Sequence, residues 1–388
     1  MKHIILEGQA IEAMVLDVAD MAAYLEQLPD PRDRRGKVYP LGMVLTLIIL
    51  AKLAGEDKPS AITQWIRLRC DAFVNLFNCK HRRTPCLNVI RGLLMDIADE
   101  TLARTFNHYL RTTYGGQQSQ LVVIDGKTMR GTIPQGSTRG VHRLAAYLPA
   151  EGLVLKQVAV ERKDNEISVA PELVADINLK HRVVCGDAMH TQRNLSTTVL
   201  SQGGDNLWLV KDNQPVLLSD VAQYFQPPQK AAGWPLPEMR RTVAESTTLQ
   251  HGRLETRTLT QLAEATGFLD WPGVRQVFRL ERHVRYLRTG VTTTEVGYGL
   301  TSYPPAQHAA EQPLAWTRDY WGIENSLHYR RDVTLREDAT RFSQPAMARA
   351  MAVINNFLIG LVRAPALPKM RSVCSSNVRL MLMSFWAR

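Results

Sequence analysis

The sequence predicts an α/β protein with a helical N-terminal part and a β-rich insertion. Apolar residues recur every three or four positions through most of residues 11–112, which is the spacing of amphipathic helices. From about residue 120, short β-branched runs alternate with helical segments, a mixture typical of a core with a partly parallel sheet. Between residues 215 and 300, prolines and segments of alternating polarity predict further strands.

Each predicted element follows from its local pattern. The N-terminal helices are expected at Met21–Leu28, Leu41–Leu53, Ile62–Phe77 and Val89–Tyr109. The core strands are expected at Leu121–Ile124, Val141–Leu148, Leu153–Ala159, His181–Cys185 and Asn206–Val210, with helices at Pro171–Ile177 and Thr191–Leu200. The insertion strands are expected at Arg253–Leu259, Val274–Arg279, Val284–Leu287 and Thr292–Leu300. Helix is expected again over Tyr320–Leu361.

The charge balance favours a polyanionic partner. The chain of 388 residues has 47 Lys and Arg against 37 Asp and Glu, a formal net charge of +10. Such an excess fits nucleic acid better than a membrane surface, and the longest apolar run, Leu41–Leu50, falls short of a span of ~20 residues. The five cysteines form no CxxC pair, which indicates reduced thiols and a cytoplasmic location. Cys79, His81 and Cys86 match no standard zinc-ligand spacing.

Two acidic residues follow strands that we expect to be neighbours. Asp125 follows the strand LVVI, and Asp187 follows RVVCG. Side chains at the strand ends of an open α/β sheet project into the crevice where ligands bind. Either aspartate alone can instead be a turn or capping residue. Two adjacent carboxylates repel each other, however, so a divalent cation is their natural partner.

A third acid, Glu324, lies in a predicted helix with the sequence RDYWGIENSLHYRRDVTLRED. This segment is rich in arginines, the side chains that best match the geometry of phosphate groups. Glu324 can complete a metal site, or it can pair with His328 or Arg331 one or two helical turns away. Spacing alone does not distinguish the metal site from the ion pair.

Five segments resemble, in order and spacing, those of bacterial insertion-sequence transposases of the H-repeat-associated type, within the DDE transposase superfamily. These segments are VVIDGKTMRGT, KDNEIS, GDAMHTQRN, LVKDNQ and WGIENSLHYRRDVTLREDATR. The stretch DPRDRRGKVYP and the helices after it resemble that family's N-terminal associated domain. The resemblance implies an RNase H-like catalytic core in two parts, 116–214 and 301–388, around the β-rich insertion 215–300. It also implies that residues 1–115 form a helical, DNA-binding domain.

The resemblance further implies that Asp125, Asp187 and Glu324 are the catalytic acids of an enzyme that cleaves and transfers DNA strands during transposition. The alternative is a domesticated or inactive DNA-binding or nuclease protein derived from such a transposase. Displacement at a phosphate commonly uses two metal ions roughly 4 Å apart. Carboxylate oxygens favour Mg²⁺, with Mn²⁺ as a substitute. We expect Asp125 to bridge two ions, and Asp187 and Glu324 each to bind one.

The expected partner is double-stranded DNA, both the element ends and the target. A homodimer on DNA is expected because two ends must be brought together. The candidate phosphate contacts are Lys127, Arg130, Lys211, Arg318, Arg330 and Arg331. His190 is expected to position a strand end, and Tyr320 and Trp321 to stack on an unpaired base. Ordinary surface charge and core packing are the alternatives. Related transposases have Tyr, Arg and Lys where this chain has Thr317, Tyr320 and Arg331, so only Arg331 keeps the charge.

Overall fold

The computed structural model describes residues 3–8, 11–33, 35, 37–79, 81–114, 119–160, 166–226, 240–250, 252–263, 267–305, 310–320 and 322–363. Its N-terminal part begins with a hairpin of two strands, β1 (His3–Gly8) and β2 (Ile11–Asp17). Six helices follow in the described residues: α1 (Val18–Leu25), α2 (Leu41–Leu53), α3 (Pro59–Arg67), α4 (Cys70–Phe77), α5 (Leu87–Asp96) and α6 (Asp99–Tyr114).

The helical periodicity locates these helices but misses their breaks. Residues 11–17, expected to be helical, pair antiparallel with β1, a backbone pairing that a local apolar pattern does not reveal. The predicted helices 62–77 and 89–109 are each divided in two. α5 ends at Asp96, the next residue Ile97 has an extended backbone, and α6 begins with Asp99 and Glu100. Acids in the first turn complement the helix dipole and favour a new start there.

The strands after residue 120 form one mixed sheet, with nine strands among the described residues. Its order is β5-β4-β3-β6-β7-β11-β10-β9-β8. In chain order, the first five strands of this sheet are β3 (Leu121–Met129), β4 (Val141–Leu148), β5 (Leu153–Val160), β6 (Val183–Gly186) and β7 (Asp205–Val210). β6 pairs parallel with both β3 and β7, whereas the other pairs in the sheet are antiparallel.

The predicted insertion extends this sheet. Its strands are β8 (Arg241–Gln250), β9 (Arg253–Ala263), β10 (Gln276–Tyr286) and β11 (Thr292–Thr301), and β11 pairs with β7. The segments Val274–Arg279 and Val284–Leu287, expected as two strands, both fall on β10. β8 was not predicted, because its polar sequence RTVAESTTLQ has little apolar alternation.

Helices cover both faces of the sheet. These are α7 (Glu166–Ala175), α8 (Arg193–Ser201), α9 (Pro215–Gln223), α10 (Glu311–Tyr320) and α11 (Pro345–Arg363), with two π-helical segments at Glu324–His328 and Arg330–Thr334. Successive side chains of a strand point to opposite faces. Val122 and Ile124 belong to the hydrophobic core that contains residues of α7 and α8. Leu121 and Val123 pack with residues of α10 and the first π-helical segment, so Asp125 lies on that face.

The long apolar helix α11 joins the N-terminal helices to the sheet. Phe357 stacks on Phe106 of α6, with ring centroids 4.2 Å apart. By length and composition alone, α11 is the one described helix that could cross a membrane, but 83% of its apolar window is buried inside the fold. It therefore packs as a core helix.

We predict that Gly42→Ala lowers the free energy of unfolding. A methyl group at this position in α2 would collide with the carbonyl oxygen of Ala22 and lie 2.8 Å from the amide nitrogen of Glu26. Overpacking of this kind costs about 1–3 kcal/mol, measurable by urea unfolding.

Gly92→Ala in α5 is the matched control. Among the described residues, no atom lies within 4 Å of a methyl group at Gly92. Alanine is favoured over glycine inside a helix by about 0.5–1 kcal/mol, so this variant should be slightly stabilised. Equal stability of Gly42→Ala and the wild type would contradict the close packing of α1 on α2.

Candidate metal centre

Asp125 and Asp187 lie side by side on neighbouring parallel strands. In the register of β3 and β6, Ile124 is opposite Gly186, and an aspartate follows each of them. Asp187 also begins a short 3-10 turn, where its Oδ1 accepts the N–H of Ala188 at 2.7 Å. β3 continues beyond the predicted strand end at Ile124 to Met129, so Asp125 lies within β3, whereas Asp187 directly follows β6. The parallel register still brings the two aspartates next to each other.

Glu324 approaches Asp125 from the helical layer. It begins the π-helical segment after α10, and His328 ends that segment. Within the described residues, ligand atoms of Asp125, Glu324 and His328 lie within 4.8 Å of one another, a group that could hold a metal ion. His328 Nδ1 is 3.4 Å from Asp125 Oδ2. Asp187 lies outside this group of three, and its Oδ1 accepts from Lys211 Nζ at 3.1 Å.

The charges of this group favour a cation. Burial and the neighbouring Glu324 carboxylate raise the pKa of Asp125 to about 7, with smaller contributions from Glu166 and Asp187. Burial, Arg331 and Lys127 lower the pKa of His328 to about 3, so its ring is neutral at physiological pH and keeps a lone pair for a metal. Burial would raise the pKa of Asp187, but the Ala188 N–H and Lys211 outweigh it and hold the pKa below its usual value.

Three of the predicted DNA-binding cations are accessible. Arg130 has 78% of its side chain exposed and lies 3.8 Å from Asp338. Lys211 is 58% exposed beside Asp187, and Arg318 is exposed on α10. Arg330 is half-buried and lines a cavity of about 240 Å³, together with Lys52, Ser326, Leu335 and Arg363.

Two other predicted cations have structural partners. Arg331 is 1% exposed and donates from Nε and Nη2 to the buried carboxylate of Glu337, at 2.7–3.0 Å. Lys127 is 10% exposed and donates to Asp332 at 2.7 Å. In this structure neither side chain can reach a phosphate without breaking a short ion pair, which corrects the predicted contacts for both.

The remaining predictions meet different outcomes. His190 is 1% exposed with Nε2 3.5 Å from Glu166, so its predicted contact with a strand end is corrected as well. Tyr320, the last residue of α10, is 9% exposed and packs in the hydrophobic core. This burial of Tyr320 favours core packing over base stacking. Burial and the nearby acids Asp187 and Asp125 raise its pKa. Trp321 lies outside the described residues.

Sequence reasoning missed His328 and Glu166 as site residues. The signal for His328 is its spacing of four residues from Glu324. The same spacing also fits an ion pair between these two side chains instead of a shared metal site. Glu166 occurs in the segment KDNEIS, where an acid at the start of a helix has an ordinary explanation as a favourable first-turn charge.

Comparison with known proteins identifies the family. The family model described as "Transposase DDE domain" matches residues 116–361, and the model described as "DDE_Tnp_1-associated" matches residues 22–110. The chain belongs to the DDE transposase family. Within this family it resembles bacterial insertion-sequence transposases of the H-repeat-associated type, as its sequence segments indicated.

Relatives of this DDE family member align over nearly the whole chain. YncI of Escherichia coli O157:H7 is 26% identical, covering 90% of this chain and 88% of its own length. YhhI of Escherichia coli K12, named as H repeat-associated, is 24% identical, and the alignment covers 89% of this chain and 91% of the length of YhhI. Both names attribute transposase activity to their proteins. Among solved structures, a piggyBac transposase synaptic complex with hairpin DNA has a TM-score of 0.43 and 9% identity over 95% of this chain and 76% of that one, too slight a likeness to argue from.

We predict that Asp125→Asn stabilises this family member in the absence of metal. Because the folded protein raises the pKa of Asp125 from 3.8 to about 7, the ionised carboxylate opposes folding at neutral pH. The neutral amide should raise the free energy of unfolding by roughly 1–4 kcal/mol. The difference should shrink as the pH falls from about 7 towards 3.8, since the wild-type carboxyl then takes up its proton in the folded state. Thermal unfolding in EDTA across this range is the measurement, and a variant less stable than the wild type throughout would contradict the repulsion.

A second prediction separates the structural arginine from the accessible one. Arg331→Met leaves Glu337 buried without its partner, which should cost about 3–5 kcal/mol of unfolding free energy. Arg130→Gln should change stability by less than about 0.5 kcal/mol and weaken DNA binding, with a smaller salt dependence. Urea unfolding and DNA binding at several salt concentrations are the measurements. An Arg331→Met protein as stable as Arg130→Gln would contradict the structural role.

Proposed function

We propose that this protein catalyses metal-dependent cleavage and strand transfer of DNA during transposition of an insertion sequence. The observation that carries the proposal is the convergence of Asp125, Glu324 and His328 within 4.8 Å, beside Asp187 on the next strand. Asp125 lies within β3, Asp187 follows the neighbouring β6, and Glu324 comes from a distant helical segment. Membership of the DDE transposase family supports the same activity.

The strand arrangement supports an RNase H-like core. In β5-β4-β3-β6-β7, the strands β3, β4 and β5 form an antiparallel meander, and β6 and β7 continue parallel to β3. Asp125 lies on the central strand β3 and Asp187 follows the adjacent β6. In this interpretation, β8–β11 form an insertion that lengthens the sheet between the second aspartate and Glu324.

The donor set fits a hard divalent cation. Carboxylate oxygens are the usual ligands of Mg²⁺, and Mn²⁺ also accepts the neutral imidazole that His328 offers. Two bound ions would activate the attacking oxygen and stabilise the leaving oxygen at the scissile phosphate. Asp125, Glu324 and His328 would hold the metal, with Asp187 as a further carboxylate ligand beside them. Lys211 would have to share or release Asp187 and would then be free to contact a phosphate.

The accessible cations suggest where DNA binds. Lys211 lies beside Asp187, Arg130 follows β3 a few residues after Asp125, and Arg318 lies on α10, the helix before Glu324. Phosphate contacts of this kind position a duplex without reading its sequence. We propose double-stranded DNA as the partner, a homodimer when two ends are held, and a cytoplasmic location.

A cleavage assay with matched variants tests the proposal. Asp125→Asn and Glu324→Gln should each reduce strand cleavage of DNA carrying the element ends by a factor on the order of a thousand or more, because metal-assisted stabilisation of the transition state is lost. Gel retardation in EDTA should show DNA binding like that of the wild type. The control is Asp176→Asn, which removes a carboxylate that is 81% exposed and paired with Lys156.

Two outcomes would count against this function. Cleavage by Asp125→Asn at the wild-type rate would refute the assignment of the acids. A wild-type protein that binds DNA but cuts neither strand with Mg²⁺ or Mn²⁺ would favour an inactive DNA-binding derivative.

A further inference from the structure

A buried polar cluster lies behind the candidate metal centre, on the other face of the sheet. Glu166, at the start of α7, is 2% exposed between His142 of β4 and His190. Its Oε1 is 2.8 Å from His142 Nε2, and its Oε2 is 3.5 Å from His190 Nε2. His142 Nδ1 is in turn 2.7 Å from the hydroxyl of Thr128, on the same strand as Asp125. The cluster thus links four elements around the ends of β3 and β6.

Glycines next to the two aspartates make direct contact with this cluster. A methyl group at Gly126 would lie 2.5 Å from the carboxyl carbon of Glu166, closer than real side chains approach. A methyl group at Gly186 would lie 3.1 Å from the ring of His190. Because Gly126 follows Asp125 and Gly186 precedes Asp187, the backbone at both aspartates packs on Glu166 and His190.

The hydrogen bonds keep Glu166 ionised. Burial would raise the pKa of Glu166, but the hydrogen bond with His142 and the ring of His190 at 3.5 Å outweigh it and lower the pKa to about 2. If Thr128 donates its hydroxyl proton to His142 Nδ1, His142 Nε2 carries the N–H that is directed at Glu166. A full negative charge therefore lies close behind Asp125, in a dry environment where its field is weakly screened.

We propose that Glu166, held by His142 and His190, is a positioning residue for the metal-binding aspartates. It fixes the backbone at Gly126 and Gly186, so that Asp125 and Asp187 hold their directions before metal arrives. Its charge also strengthens the attraction of a divalent cation to Asp125 from outside the ligand set. The inference rests on the proposed metal-dependent function. Groups that support metal ligands in this way typically contribute about 10–100-fold to metal affinity.

Calorimetric titration of the full chain with Mn²⁺, together with metal-free thermal unfolding, tests this role. Glu166→Gln keeps the shape and removes the charge, and should weaken Mn²⁺ binding by about tenfold or more. Glu166→Asp, which keeps the charge on a shorter side chain, should recover part of the loss.

The matched control is Asp57→Asn. Asp57 is also a buried acid, 8% exposed and 3.3 Å from Lys52, but it lies in the N-terminal part. This variant should lower the unfolding temperature and bind Mn²⁺ as the wild type does. Unchanged Mn²⁺ affinity in folded Glu166→Gln would overturn the inference, as would an equal loss in Asp57→Asn, since that would mean a general effect of stability.

A milder variant covers the case in which Glu166→Gln does not fold. Thr128→Val removes only the hydroxyl that faces His142, and should weaken Mn²⁺ binding by less than the about tenfold loss expected for Glu166→Gln. Folded Thr128→Val with wild-type affinity would overturn the inference. A wild-type protein that does not bind Mn²⁺ would instead refute the metal centre itself, so the two failures are distinguishable.

Discussion

The parallel pairing of β3 with β6 is the constraint on which the candidate site depends. The in-register pairing of Ile124 with Gly186 brings Asp125 and Asp187 to the same edge of the sheet. Parallel strands of this kind are covered on both faces, which explains why the paired segments, residues 121–124 of β3 and 183–186 of β6, are apolar. One face then receives Glu324 and His328, and the other receives Glu166. The two aspartates therefore lie at the sheet edge between the layer that contains Glu324 and His328 and the layer that contains Glu166.

Charge is distributed unevenly around this edge. Asp125 and Glu324 repel each other, and Glu166 adds a third negative charge behind them. The cations nearest in sequence do not neutralise these acids. Lys127 is bound to Asp332 and Arg331 to Glu337, and both pairs connect the second π-helical segment to neighbouring elements. The ion pairs that hold the segment after Glu324 are therefore separate from the charge that a metal ion would balance.

This separation divides the basic residues into two groups. Arg331 and Lys127 serve the fold, because a buried charge without its partner is costly. Arg130, Lys211 and Arg318 keep exposed side chains that can meet phosphates. A site that tolerates repulsion without its metal accepts lower stability in exchange for function, a common feature of active sites.

The sequence alone determined the features that depend on local chemistry: the apolar run of α2, the β-branched stretches of β3 and β6, the acid that follows each stretch, and the family segments. It could not decide whether Arg331 contacts a phosphate or pairs with Glu337. The presence of Glu337 six positions after Arg331 does not by itself show that the two side chains meet. Nor could the sequence show that Lys127 meets Asp332 or that Glu166 lies behind Gly126. Those contacts join residues distant in the chain, and only the packing of helices on both faces of the sheet decides which distant charges become neighbours.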